Sequence, residues 1–195
     1  GFLLIVDDIQ AGLGRTGKLW GVEHSGVDPD ILIVGKGISG GLPFSTMIAR
    51  KEILSNWAPT AHVSTFAGYA LGCAAGLKVF EIIEKEKLLK RSNEMGEYFY
   101  NGLLELKEKY PIIGDVTGGK GLFLALELVK DKTKKTPAIE ETKFIREKCF
   151  DDGLLFQAGG YFYNRIMFIP ALTITRDSID KALNILDSAF KETEK

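Results

Sequence analysis

Residues 1–37 read GFLLIVDDIQAGLGRTGKLWGVEHSGVDPDILIVGKG, and the breaks in this stretch decide the fold. Two apolar runs, Phe2 to Val6 and Ile31 to Val34, each stop abruptly, the first on Asp7-Asp8 and the second on Gly35-Lys36-Gly37. Short, wholly apolar runs of this kind are strands of a sheet covered on both faces. A glycine-rich loop, Gly12 to Gly17, lies in the long connection between them. Strands separated by long connections predict an α/β sheet that gathers ligand-binding groups at the carboxyl ends of its strands. Ser45 to Ala49 is expected to be a third strand, entered through the turn residues Gly40-Gly41-Leu42-Pro43.

Outward from this sheet the period changes. Ala74, Leu77, Val79, Ile82 and Ile83, then Leu88, Leu89, Met95, Phe99, Leu103 and Leu106, recur at helical spacing from about residue 70 to 110, with a break near Lys87 and an end at Pro111. Beyond it the spacing predicts strands at Ile112 to Val116, Leu122 to Val129, Leu154 to Phe156 and Ile166 to Ile169, and helices at Ile139 to Asp152 and Ser178 to Lys191. The chain is thus expected to divide near residue 110. Residues 1–110 would form a large-domain portion with its connecting helices, and residues 111–195 a small α+β domain.

Composition excludes several classes of function. Lys+Arg 25 against Asp+Glu 26 gives a net charge of -1, so nothing general draws the chain to nucleic acid or an anionic membrane. No apolar run reaches the roughly 20 residues that span a bilayer. Cys73 and Cys149 are far apart, with no C-x-x-C spacing, and read as buried thiols in a reducing, cytoplasmic compartment. His24 and His62 are isolated, so no metal site is expected. The opening Gly1-Phe2-Leu3-Leu4 has neither a methionine nor a basic leader, which suggests that an N-terminal part is missing.

Two side chains carry candidate chemistry. Asp7 and Asp8 end a buried strand, where a carboxylate is costly unless it meets a partner or faces a cleft, and Asp8 by default is a turn cap. Lys36 is a loop lysine by default. Projected from a strand end between two glycines, it also has the access that an imine-forming amine needs.

Taken together, Asp7-Asp8-Ile9-Gln10, Gly12-x-Gly14-Arg15-Thr16-Gly17, Pro29-Asp30-Ile31, Gly35-Lys36-Gly37 and Gly40-Gly41-Leu42-Pro43 resemble the signature of class III aminotransferases, enzymes of pyridoxal 5'-phosphate (PLP) fold type I. That family usually has glutamate where Asp8 stands. His62-Val63-Ser64-Thr65-Phe66 and the Phe168-Ile169-Pro170-Ala171-Leu172 run resemble later segments of the family. The resemblance implies a fold-type-I large-domain portion with a mixed, mostly parallel sheet, followed by a small α+β C-terminal domain. It also implies that Lys36 forms the Schiff base, that Asp7 pairs with the pyridinium nitrogen, and that Gln10 lies near the ring 3-oxygen. Thr65 would reach the cofactor phosphate of the neighbouring subunit in a homodimer. The substrates would be a small-molecule amino donor and a 2-oxo-acid acceptor. Where many members place an arginine for the substrate carboxylate, this chain has Met167; Arg165, on the same strand face, is the substitute candidate.

Two alternatives stand beside transamination. Some relatives that epimerise or racemise amino acids share Asp-Asp-Ile-Gln followed by Gly-Leu-Gly-Arg-Thr-Gly, and such an enzyme would need no oxo-acid acceptor. Gly12 to Lys18 also fits G-x-x-x-x-G-K, the phosphate-binding P-loop spacing, although Leu19 stands where Ser or Thr should bind magnesium.

Overall fold

The computed structural model describes residues 1–193. They form two compact units, Gly1–Leu89 and Lys90 onward.

The first unit is built on a mixed three-stranded sheet, β1 (Ile5–Asp7), β2 (Ile31–Val34) and β3 (Thr46–Ala49), in that spatial order. β1 and β2 run parallel, with Asp7 opposite Ile33, and β3 returns antiparallel to β2. β2 is central, and its Ile31, Leu32 and Val34 are buried, as a continuous apolar run requires. β1 is shorter than the apolar run foretells, because Phe2, Leu3 and Leu4 lie outside the strand and are exposed. A short helix α1 (Lys51–Leu54) follows β3, and a loop leads to α2 (Ala70–Lys85). Lys87 takes a left-handed φ of 52° between α2 and α3 (Leu88–Lys109), the break expected near that residue.

The second unit is a four-stranded antiparallel sheet with helices on one face. Its strands are β4 (Ile113–Lys120), β5 (Phe123–Leu128), β6 (Gln157–Gly159) and β7 (Arg165–Phe168), in the order β4-β5-β7-β6. Along β5, Leu124, Leu126 and Leu128 are buried while Phe123, Ala125 and Glu127 are only partly covered, the period-two pattern of a sheet packed on one side. The buried residues join Met95, Phe99, Leu103 and Leu106 of α3, Ile145 and Cys149 of α4 (Ile139–Asp151), and Ile179, Leu186 and Phe190 of α5 (Arg176–Glu192) in one core. This core explains why the units divide between Leu89 and Lys90, and not near residue 110. The apolar stripe of α3 is spent on the second sheet, so the helix goes with that unit.

Two further expectations shift. Leu154 to Phe156 is not a strand; the chain turns back through Gly153, φ 86°, and enters β6 only at Gln157. Cys149 is buried as expected, which pushes its thiol up to about 12, but Cys73 is exposed on α2.

Candidate active site

The parallel register fixes the site. Asp7 is the last residue of β1 and lies opposite Ile33, so the chain beyond β2 reaches Lys36 at the same, carboxyl end of the sheet. The two turns that follow these strands lie against each other. A side chain added at Gly35 would sit 3.4 Å from Ile9 Cγ2, and one at Gly37 would sit 3.6 Å from Leu13 Cδ1. Asp7, Gln10 and Lys36 are thereby brought together at one sheet end, the place where open α/β sheets bind ligands.

Lys36 opens a 3₁₀ turn, Lys36–Ser39, and adopts φ 50°, a left-handed conformation that costs a residue with a Cβ. Gly35 before it is extended, and Gly40 closes the turn with φ 64°. The turn is held from below by Ile38 and Ser39, both buried. Helix α2 supports it. A Cβ at Gly76 would approach Ile38 O at 3.2 Å, and one at Gly72 would approach the Phe44 ring at 2.7 Å, so these glycines let the helix lie close under the lysine turn. The Lys36 side chain is exposed and has no hydrogen bond or ion pair among the described residues.

The Asp7 Oδ1 accepts the Ile9 N–H at 3.1 Å, which points its carboxylate along the turn that carries Gln10, itself half-buried. Asp8, which the sequence offers as a turn cap, is 2% exposed, and its Oδ2 accepts the Gly21 N–H at 2.8 Å. Burial raises its pKa, helped by the charges of Glu23 and Asp7, while the backbone N–H groups of Gly21 and Val22 pull it back down. The burial of Asp8 escapes sequence reasoning because its partner lies across the loop. The small residues Gly12 and Gly21 around it are the signal that could have revealed it.

Thr65 lies in an exposed turn in which Ala67 N–H bonds Ser64 O at 3.0 Å, and no hydrogen bond joins it to Asp7, Gln10 or Lys36 among the described residues. Arg165 belongs to the second unit. It lines a groove of about 340 Å³ on the helix-free sheet face with Thr117, Phe123, Ala125 and Met167, and its guanidinium is 3.2 Å from Glu127 Oε1. Glu127 was not foreseen, because only the β5–β7 register places it opposite Arg165.

The P-loop alternative does not fit this geometry. Gly12 to Lys18 is a series of turns followed by a 3₁₀ turn, Gly21–Ser25, and not the helix whose N-terminus would hold a phosphate. Lys18 is also engaged, its Nζ donating to Glu23 O at 3.1 Å. Among the described residues no group of three His, Cys, Asp or Glu side chains could hold a metal ion, and no helix is long and apolar enough to cross a membrane.

A leucine/methionine racemase of Thermococcus litoralis is 41% identical over 196 residues, covering 100% of this chain and 43% of the racemase. An alanine–glyoxylate aminotransferase 2 homologue of Arabidopsis thaliana is 41% identical over 192 residues, covering 98% of this chain and 40% of that protein. A crystal structure of a Bacillus anthracis aminotransferase superposes with a TM-score of 0.91 at 34% identity, covering 97% of this chain and 45% of the other. The chain therefore spans less than half the length of the relatives it matches. The class-III aminotransferase family model matches residues 1–190, and the chain belongs to that family.

Proposed function

We propose that the whole protein is a PLP-dependent aminotransferase, moving an amino group from an amino acid or ω-amine to a 2-oxo acid. One observation carries this reading: Lys36 stands in a left-handed backbone between two glycines, at the same sheet end as Asp7. The residues present fit the cofactor. An exposed primary amine is free to bond a carbonyl carbon, and a carboxylate on the adjacent parallel strand is placed to meet a protonated ring nitrogen. When bound, PLP supplies an electron sink beside the amino-bearing carbon of the substrate.

The chain's own residues do the rest. Asp7 would hold the ring nitrogen protonated, and Gln10 would donate its amide to the ring oxygen. Lys36 would hold the cofactor through its amine and move a proton to and from the substrate carbon. Thr65, exposed and without a hydrogen bond of its side chain among the described residues, would donate its hydroxyl to the cofactor phosphate of a second protomer, which makes the active unit a homodimer. Arg165 binds a substrate carboxylate by exchanging it for Glu127. The two free cysteines suit a reducing cytoplasm.

The experiment uses the full-length protein with PLP. A visible absorption band that Lys36→Ala abolishes, together with a loss of turnover on the order of 10³-fold, is expected. An unchanged spectrum in Lys36→Ala would overturn the reading. The racemase relative at 41% identity favours one second reading, proton return to the opposite face of the same carbon. Loss of optical rotation from a single amino acid, with no oxo acid present, would select it.

A further inference from the structure

We infer that Asp8 is a positioning residue: its buried carboxylate latches the Gly21 end of the glycine-rich loop to β1 and so fixes the turn that carries Asp7 and Gln10. This inference rests on the proposed cofactor site.

Four segments meet at Asp8. Its N–H bonds Ile33 O on β2 at 3.0 Å, its carbonyl accepts the Gly12 N–H at 3.0 Å, and its Oδ2 accepts the Gly21 N–H at 2.8 Å. The loop is shaped to the latch at both ends. A Cβ at Gly12 would come within 2.8 Å of Asp8 O, and one at Gly21 within 2.7 Å of Asp8 Oδ1 and 2.8 Å of Ala11 Cβ. Only glycine at both positions lets the loop close over the carboxylate. No cation pairs with Asp8 in any ion pair of the described residues, so backbone N–H groups alone hold its charge.

A buried carboxylate is expensive, and its bonds to backbone donors are strong because they are charge-assisted. Asp8 makes them one residue after Asp7, whose own carboxylate accepts the Ile9 N–H of the same turn. Opening the latch frees Gly21 and leaves Asp8 held only by its main-chain bonds to Ile33 and Gly12. Asp8 touches no reacting atom; it acts through Asp7 and Gln10.

The test uses full-length protein in two variants. Asp8→Asn keeps the shape but removes the charge and one of the two acceptor oxygens that the Gly21 and Val22 N–H groups share, whereas Gly21→Ala keeps the carboxylate and pushes the loop off it. Both are expected to weaken PLP binding, read by visible titration, roughly tenfold or more. Both should speed hydrogen exchange across residues 9–22 severalfold, with residues 113–168 unchanged. Asp8→Asn that binds PLP within twofold of wild type, with unchanged exchange, overturns the inference. Should Asp8→Asn fail to fold, the wild type and Gly21→Ala decide: a Gly21 amide that exchanges as fast as an open loop, or an unaltered Gly21→Ala, sinks the latch. If wild type binds no PLP, the proposed function fails, while the exchange measurements still report on Asp8.

Discussion

Lys36 and Asp7 stand out in the sequence because each follows an apolar run that stops abruptly, and glycine breaks mark where the chain can present an amine; their proposed roles come from the family resemblance. Asp8 and Glu127 are not, since each acquires its role from a partner that only the folded register brings near. Charged pairs show the same dependence. In the second unit Lys109 Nζ donates to Asp187 Oδ1 at 2.5 Å, and the Tyr110 hydroxyl donates to the same oxygen at 2.9 Å. The Lys109 ammonium holds the Asp187 carboxyl below its ordinary 3.8, and the carboxylate raises the lysine above its ordinary 10.5. A depressed carboxyl stabilises the fold above its unfolded value and loses that contribution as pH falls through its folded value. Asp187→Asn is therefore expected to flatten the acid limb of the stability curve below about pH 4, measured by urea unfolding at stepped pH. Asp8 has the opposite sign. Its pKa is raised by burial first and by the charges of Glu23 and Asp7 after it, so ionisation costs stability as pH rises through the folded value. Asp8→Asn should remove that slope even though it loosens the loop.

Elements were most legible where one period runs uninterrupted. The two helices around Lys87 and the alternation in β5 follow directly from the spacing of apolar residues. β6 was displaced because Leu154 and Phe156, apolar and alternating, pack against the second core from irregular chain and not from a strand. The seating of α3 was invisible for a different reason, since it depends on a missing side chain. A Cβ at Gly96 would overlap the backbone of Gly121, so helix and β4–β5 turn touch through main-chain atoms. Gly96→Ala gains helix propensity of about 1 kcal/mol, yet it must push the helix off the sheet. It is expected to lower stability by about 1–3 kcal/mol net, and circular dichroism melting would show it; an unchanged or higher melting temperature would count against that seating.

At the scale of the whole molecule, the two units differ in how their sheets are covered. The second has a continuous core drawn from one sheet and three helices, and every one of its strands finds a partner. Residues 90–195 are expected to fold alone with a single cooperative transition, and Leu126→Ala, at the centre of β5, to cost about 2–5 kcal/mol of it. A broad, non-cooperative melt of that fragment would disprove its autonomy. In the first unit β1 pairs only with β2 among the described residues, and Phe2, Leu3, Leu4 and Ile5 are exposed. Residues 1–89 alone are expected to associate through the β1 edge, which light scattering would detect. The proposed substrate and partner subunit belong to this larger scale, and the sequence speaks of them only through the family it resembles. The left-handed backbone at Lys36 has its own consequence for how the protein responds to selection. Asn accepts that conformation far more readily than Lys, so a library screened for heat resistance alone should enrich Asn at position 36 and discard the proposed activity with the lysine. Only a screen that also demands turnover would retain it.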